Sequence, residues 1–376
     1  KVANYIRIKL KGGVKNRSGI GAKVVIKSGE LIQTLEHYMT RGYLSSVEDI
    51  IHVGLGLNNN VDHITVYWSN GEISEIQDLI ANQTIEIDQV NDAVDEPTSI
   101  SDREFLKTSK ESLPFEHKEN EFDDFEREVL LPHQMSKMGP SIAVADVNGD
   151  GLEDFYVGGA IGQTGGLYLQ NSKGEFTASQ QNLWQSNESS EETVVYFFDY
   201  DGDNDMDLYV GAGGNEYSNG SKQLADKIYQ NDNGQYKLVD VLPKDLKMST
   251  GSVASSDFDN DGDMDLFVGN RQTPGKYPYA SKSYLLENRN GKYIDVTSER
   301  APLLENIGMV TNSFWVDLNG DKIQELVLSG EWMPITILEQ NEGVFQNKSG
   351  NYGLSDETTG WWFGLAVGDI DNDGDI

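Results

Sequence analysis

Through the first 90 residues apolar and polar side chains alternate in short runs. "NYIRIKLKG", "GAKVVIKSGE", "DHITVYWSNGE" and "QTIEIDQV" are separated by Gly/Asn-rich breaks. A period of two predicts strands with one buried face, so this part reads as a small antiparallel β domain. Beyond residue 139 the pattern changes. "SIAVAD", "TVVYFFD", "TNSFWVD", "DFYVGG" and "DLFVG" are apolar at successive positions and bounded by Gly, which predicts strands covered on both faces. Between each such pair lies an acidic loop.

The loops begin at Asp146, Asp199, Asp257, Asp317 and Asp369, with spacings of 53, 58, 60 and 52 residues. A repeat of this length signifies one supersecondary unit per repeat. Each full repeat also carries a second signature, "LYLQNSKGEF", "KIYQNDNGQY", "YLLENRNGKY" or "TILEQNEGVF", a strand entering a polar turn with an aromatic beyond it. That is a hairpin. Two hairpins per repeat make a four-stranded sheet, the blade of a propeller.

Counted from its first Asp, each loop places acidic or amide side chains at positions 1, 3 and 5, the four loops that reach position 9 add one there, and three loops add a carboxylate at position 7. The candidate ligands are Asp146, Asn148, Asp150 and Asp154; Asp199, Asp201, Asp203, Asp205 and Asp207; Asp257, Asp259, Asp261, Asp263 and Asp265; Asp317, Asn319, Asp321 and Glu325; and Asp369, Asp371 and Asp373. Unpaired carboxylates this close repel one another, so a cation is expected among them. Alternate hard-oxygen side chains suit Ca²⁺, which takes six to eight such ligands. Up to five Ca²⁺ sites follow. An EF-hand is excluded, because it needs Glu at position 12 and flanking helices, whereas Val157, Val210, Val268 and Leu328 stand there between strands. Gly151, Gly262 and Gly374 at position 6 allow a sharp turn, and Asn204 tolerates it. Lys322 does not favour it, so the loop at Asp317 is expected to be the weakest site.

These repeats resemble the FG-GAP (VCBS) family, the calcium-loop blades of integrin α-subunit heads and of bacterial surface proteins. The resemblance implies a β-propeller of seven blades, incomplete in this chain, with the loop residues above as metal ligands. It spans residues 139–376, although the Phe-Gly and Gly-Ala-Pro signatures are eroded to "YVGGA", "YVGAG" and "FVGNR". In residues 1–90, "RSGIGAKVVI" and "HVGLGLNNNVDHITVYWSNG" resemble the UnbV/ASPIC domain that accompanies such repeats. No Gly-Lys-Ser/Thr follows these glycines, so a phosphate loop is not expected. Residues 91–138 read as a connector anchored on the propeller by Phe115, Phe122 and Phe125. The fold class expected is all-β.

The formal net charge is −33. Residues 1–90 contribute −1 of it (nine Lys/Arg against ten Asp/Glu), so −32 falls on the rest. Such acidity excludes nucleic acid as a partner. There is no Cys, hence no disulfide or thiolate metal site. No apolar run is long enough to span a membrane. The chain lacks an initiator Met and stops within a repeat, so a longer parent protein is expected. All five histidines, His37, His52, His63, His117 and His133, precede the first acidic loop. Ser–His–Asp or Cys–His catalysis within the blades is thereby excluded, and no enzyme activity is expected.

Repeats two and three carry longer connections, "GAGGNEYSNGSKQLA" and "GNRQTPGKYPYASK". Asn215, Glu216, Tyr217, Arg271, Tyr277 and Tyr279 there offer contacts for a protein or polysaccharide ligand. Trp332, Trp361 and Trp362 read first as fillers between blades, with a sugar-stacking platform as the alternative. The function expected is a calcium-binding, extracellular or cell-surface interaction module serving adhesion or ligand capture. Placement at a bacterial outer-membrane surface is implied by the resemblance alone. A carbohydrate-active enzyme and a structural spacer are the competing classes.

Overall fold

The computed structural model describes residues 3–39, 47–89, 115–354 and 358–368. The fifth acidic loop, with Asp369, Asp371 and Asp373, lies outside the described residues. The chain divides into two compact units, Lys1–Thr108 and Ser109–Ile376.

The first unit has seven strands: β1 Asn4–Lys11, β2 Lys23–Ser28, β3 Leu31–Glu36, β4 Ile51–Gly56, β5 Asn60–Tyr67, β6 Ile73–Ile80 and β7 Gln83–Asp88. They form two sheets, ordered β4-β1-β7 and β3-β2-β5-β6. The alternation works as expected: Ile6, Ile8 and Leu10 on β1 and Val24 and Ile26 on β2 enter one core with Ile64, Val66 and Trp68. One pairing departs from the antiparallel expectation. β7 runs parallel to β1, with Ile6 opposite Gln83 and Lys11 opposite Asp88. Alternation reports which face is buried and says nothing of the direction of the neighbouring strand.

In the second unit each repeat folds as a four-stranded antiparallel meander. The sheets are β8 Ile142–Ala145 to β11 Phe176–Ser179, β12 Glu191–Phe198 to β15 Lys237–Val239, β16 Ser249–Ser256 to β19 Tyr293–Asp295, and β20 Met309–Val316 to β23 Val344–Asn347. A short β24, Gly360–Trp361, pairs with β21, Glu325–Met333. The second strand of each sheet runs through the interior. β9 (Asp154–Val157), β13 (Asp207–Gly213) and β17 (Asp265–Gln272) are buried at every residue: neighbouring sheets cover both faces of β13 and β17, while one face of β9 packs with its own sheet's aromatics and Phe115. Leu266, Phe267 and Val268 are fully buried, each stabilising by about 1.5–3 kcal/mol. Successive sheets share cores. Tyr156 and Trp184 meet Leu208 and Tyr229, Tyr209 meets Leu266, and Phe267 meets Leu326.

A meander has two ends. The acidic loops join first to second strands, so they lie at the same end as the hairpins joining third to fourth strands. The second-to-third connections lie at the opposite end.

Residues 115–138 pack on this unit. Phe115 contacts the cluster of Phe155, Val157 and Tyr168. Phe125 is 40% exposed, and the main anchor near it is polar. Asp124 is fully buried, accepting from the Ser136 hydroxyl (2.6 Å) and from Asn215 Nδ2 (2.9 Å).

Candidate metal loops and the opposite end

Each acidic loop is organised by its own backbone. The carboxylate at position 1 accepts two loop N–H groups. Asp146 takes Asp150 and Gly151 (3.1 and 2.7 Å), and Asp199 takes Gly202 and Asn204 (2.8 and 3.0 Å). Asp257 takes Asp261 and Gly262 (3.0 Å each), and Asp317 takes Gly320 and Lys322 (2.7 and 2.8 Å). Position 5 accepts from position 7 in every described loop, as when Asp261 Oδ1 receives the Asp263 N–H at 3.0 Å. This curl needs two left-handed residues. Position 6 supplies one, with Gly262 at φ +96° and Lys322 at +71°. Position 4 supplies the other, through Gly149, Gly202, Asn260 and Gly320, a requirement the sequence reading did not identify.

Position 9 behaves differently. Asp154, Asp207, Asp265 and Glu325 open the second strand of their sheets and are buried. Asp265 Oδ2 accepts from Phe258 N (3.1 Å) and Oδ1 from Asn288 N (2.7 Å), tying its loop to the next hairpin. Asp207 does the same with Tyr200 and Asn231, and Asp154 with Val147 and Gln170. Glu325, one methylene longer, accepts from Leu318 N and from the Asn319 amide within its own loop. Burial pushes Asp207 and Asp265 up to about 7 and also raises Asp154 and Glu325.

Carboxylates converge most closely in loops two and three. One oxygen from each of Asp199, Asp201 and Asp203 lies within 4.8 Å of the others, and likewise for Asp257, Asp259 and Asp265. Burial, and after it a like-charged neighbour (Asp203 or Asp261), raises Asp201 and Asp259. Asp259 Oδ1 is buried with no hydrogen-bond partner. Hard oxygens, mutual repulsion and an orphaned acceptor fit a calcium ion. Asp205 is turned elsewhere, its Oδ2 accepting from Asn233 N of the adjacent hairpin at 2.6 Å. Asp263 stays exposed.

Two buried asparagines missed by the sequence reading hold this end together. Asn231 Nδ2 donates to Val147 O of the preceding sheet's loop (2.8 Å) and to Met206 O of its own (3.2 Å). Asn288 Nδ2 donates to Tyr200 O and Met264 O in the same way. The Asn-x-x-Gly turn of the first three hairpins, replaced by Gln340-x-x-Gly343 in the fourth, was the available signal.

At the opposite end most of the proposed ligand contacts serve the fold. Asn215 is buried and donates to Asp124 and Glu128 while accepting from Gly275 N. Glu216 accepts from Asn215 N (2.9 Å) and Asn120 Nδ2 (3.3 Å). Arg271, 3% exposed, pairs with the fully buried Glu331 at 2.5 Å. Tyr277 donates to Glu331 Oε2 (3.2 Å) and accepts from Trp332 Nε1 (2.8 Å). Tyr217 is half-buried and Tyr279 exposed. Trp332, Trp361 and Trp362 are each more than a third exposed, Trp332 and Trp361 meeting edge to face at 5.5 Å.

Comparison with known proteins agrees with this architecture. The family model for ASPIC and UnbV matches residues 12–94. The FG-GAP-like repeat matches residues 146–210, 257–328 and 317–376. The chain thus joins an ASPIC and UnbV segment to FG-GAP-like propeller repeats. Among solved structures, one titled "Structure of Dos1 propeller" is similar at 10% identity and a TM-score of 0.32, a score at which the likeness carries no argument. The match covers 74% of this chain and about half (52%) of that one. No curated protein matches.

Proposed function

We propose that the second unit is a calcium-stabilised, non-catalytic interaction module acting outside the cell or at its surface. The observation that carries this reading is the convergence of three carboxylates within 4.8 Å in each of loops two and three. Asp199, Asp201 and Asp203, and Asp257, Asp259 and Asp265, would hold the ions. Bound Ca²⁺ would neutralise the repulsion and fasten each loop to the hairpin beside it. Millimolar extracellular Ca²⁺ would fill sites of moderate affinity that cytosolic levels leave empty.

FG-GAP-like repeats are often extracellular. No helix among the described residues is long and apolar enough to cross a membrane. The ligand is a protein or polysaccharide, met at the end away from the acidic loops, where the longer connections lie.

Titration calorimetry and thermal melting test the proposal. Ca²⁺ at tenfold its dissociation constant should add about 1.4 kcal/mol per site. Asp257→Asn with Asp259→Asn should remove one of the calorimetric sites. Calcium-independent melting of the wild-type chain would overturn the reading.

A further inference from the structure

Glu191 opens β12, the first strand of the second sheet, at the end opposite its acidic loop. It is fully buried. Its Oε2 accepts from Ile161 N at 3.2 Å, and its Oε1 has no partner. Two further oxygens of the region are buried without a donor, Glu119 Oε2 and Asn120 Oδ1. Glu119 and Asn120 belong to the segment that runs over the blades before β8, and Glu216 to the connection between β13 and β14 (Lys227–Gln230).

The backbone makes room for this cluster. A Cβ at Gly139 would stand 3.3 Å from Glu191 Oε1 and 3.7 Å from the His117 ring, whose Nε2 contacts Glu119 Oε1 at 2.8 Å. A Cβ at Gly214 would clash with Glu216 Oε2 at 2.5 Å and crowd Glu191 Cβ at 3.3 Å. Among the described residues none of the three glutamates is ion-paired to Lys or Arg, and His117 alone touches Glu119. Buried charge of one sign without a counter-charge is costly, and unsatisfied acceptors add to that cost. The orphaned atoms here are three hard oxygen acceptors and one ring nitrogen, His117 Nδ1.

We propose that Glu119, Asn120, Glu191 and Glu216 form a second kind of divalent-cation site, which locks the segment before β8 onto the propeller independently of the acidic loops. Among the described residues, carboxylate trios within 4.8 Å occur in loops two and three and not here, so an ion at this site would be held partly through water, as Mg²⁺ habitually is and Ca²⁺ can be. Burial, then the like charges of Glu119 and Glu216, raises Glu191 to about 8, so a proton is the competitor for the same place.

The test compares the 376-residue chain with Glu191→Gln and with Asp257→Asn/Asp259→Asn. Each is equilibrated with Ca²⁺ or Mg²⁺ for ion counting, and hydrogen exchange is followed in residues 115–123. Glu191→Gln should lose about one ion, additively with the loss in the loop variant. Chelation should speed exchange of residues 115–123 by about tenfold in wild type and in the loop variant, but not in Glu191→Gln. Should Glu191→Gln fail to fold, Glu119→Gln, on the partly exposed segment, gives the same two readouts. An undiminished ion count in the variant, or exchange that ignores chelation in wild type, would overturn the proposal. So would a Glu191→Gln chain equally stabilised with and without metal, since that identifies a held proton.

Discussion

The two ends of the blades use the same chemical group in opposite ways. At the acidic-loop end, the carboxylates of each loop are exposed or half-buried except at position 9, and those at positions 1 and 5 accept from backbone N–H groups two to five positions away. At the other end the carboxylates are buried and their partners come from far along the chain. Asp226 accepts from the hydroxyls of Tyr209 (2.6 Å) and Thr250 (2.7 Å) and from Ala212 N (2.7 Å). Glu192 accepts from Asn187, Tyr156 and Gly159. Glu331 meets Arg271 and Tyr277. Local partners make a loop that a soluble ion can enter and leave. Remote partners make a joint between sheets that must be complete before the fold is stable.

The largest effect should follow from breaking one such joint. Arg271→Met leaves Glu331 buried without its cation and should cost about 3–5 kcal/mol in urea unfolding, whatever the calcium concentration. Position 9 is where the two ends come to resemble each other, and Asp265→Ala sharpens that point. It orphans the N–H groups of Phe258 and Asn288 and should cost about 2–4 kcal/mol, whereas Asp263→Ala, exposed in the same loop, should stay within about 0.5 kcal/mol in metal-free buffer.

Acidity acts at both ends, since Asp207 and Asp265 are raised as well. Burial raises Asp226 and Glu192 to about 7 in the folded chain, against about 4 in an unfolded one. A carboxyl with a raised folded pKa contributes stability that is complete below about pH 4 and disappears as pH climbs through about 7. In chelator, melting temperature should therefore fall by roughly several degrees between pH 5 and pH 8, and Asp226→Asn should flatten the slope. A wild-type melting temperature independent of pH across that window would contradict the assignment. A smaller effect, in the opposite direction, belongs to the acidic-loop end. Lys322→Gly relieves a left-handed residue at φ +71° and should stabilise by about 0.5–1 kcal/mol in thermal melts.

Reading the acidic loops from sequence was feasible because their geometry is short-range. Asp at positions 1 and 5, with Gly or Asn at 4 and, in three of the four described loops, at 6, closes hydrogen bonds within a few residues, so spacing carries most of the shape. The meander, the double-sided burial of β9, β13 and β17, and the one-sided strands of the first unit were legible for the same reason, since side-chain periodicity follows strand geometry. The spacing of Asp205 matches its neighbours' and gives no sign that the adjacent hairpin offers it Asn233 N at 2.6 Å. Asn215 and Arg271 looked like surface contacts because they sit in long connections. The structure buries both.

By itself the sequence determined the repeat, the strand order within each blade and the places where carboxylates crowd, all consequences of contacts between residues close along the chain. Tertiary structure alone decided that β7 lies parallel to β1, that Asn231 and Asn288 bridge successive sheets, that Arg271 finds Glu331, and that Glu191 is buried beside Glu119 and Glu216. Those pairings join residues tens of positions apart. What selects them is the shape left when packed sheets exclude water, and spacing along the chain carries no record of that shape.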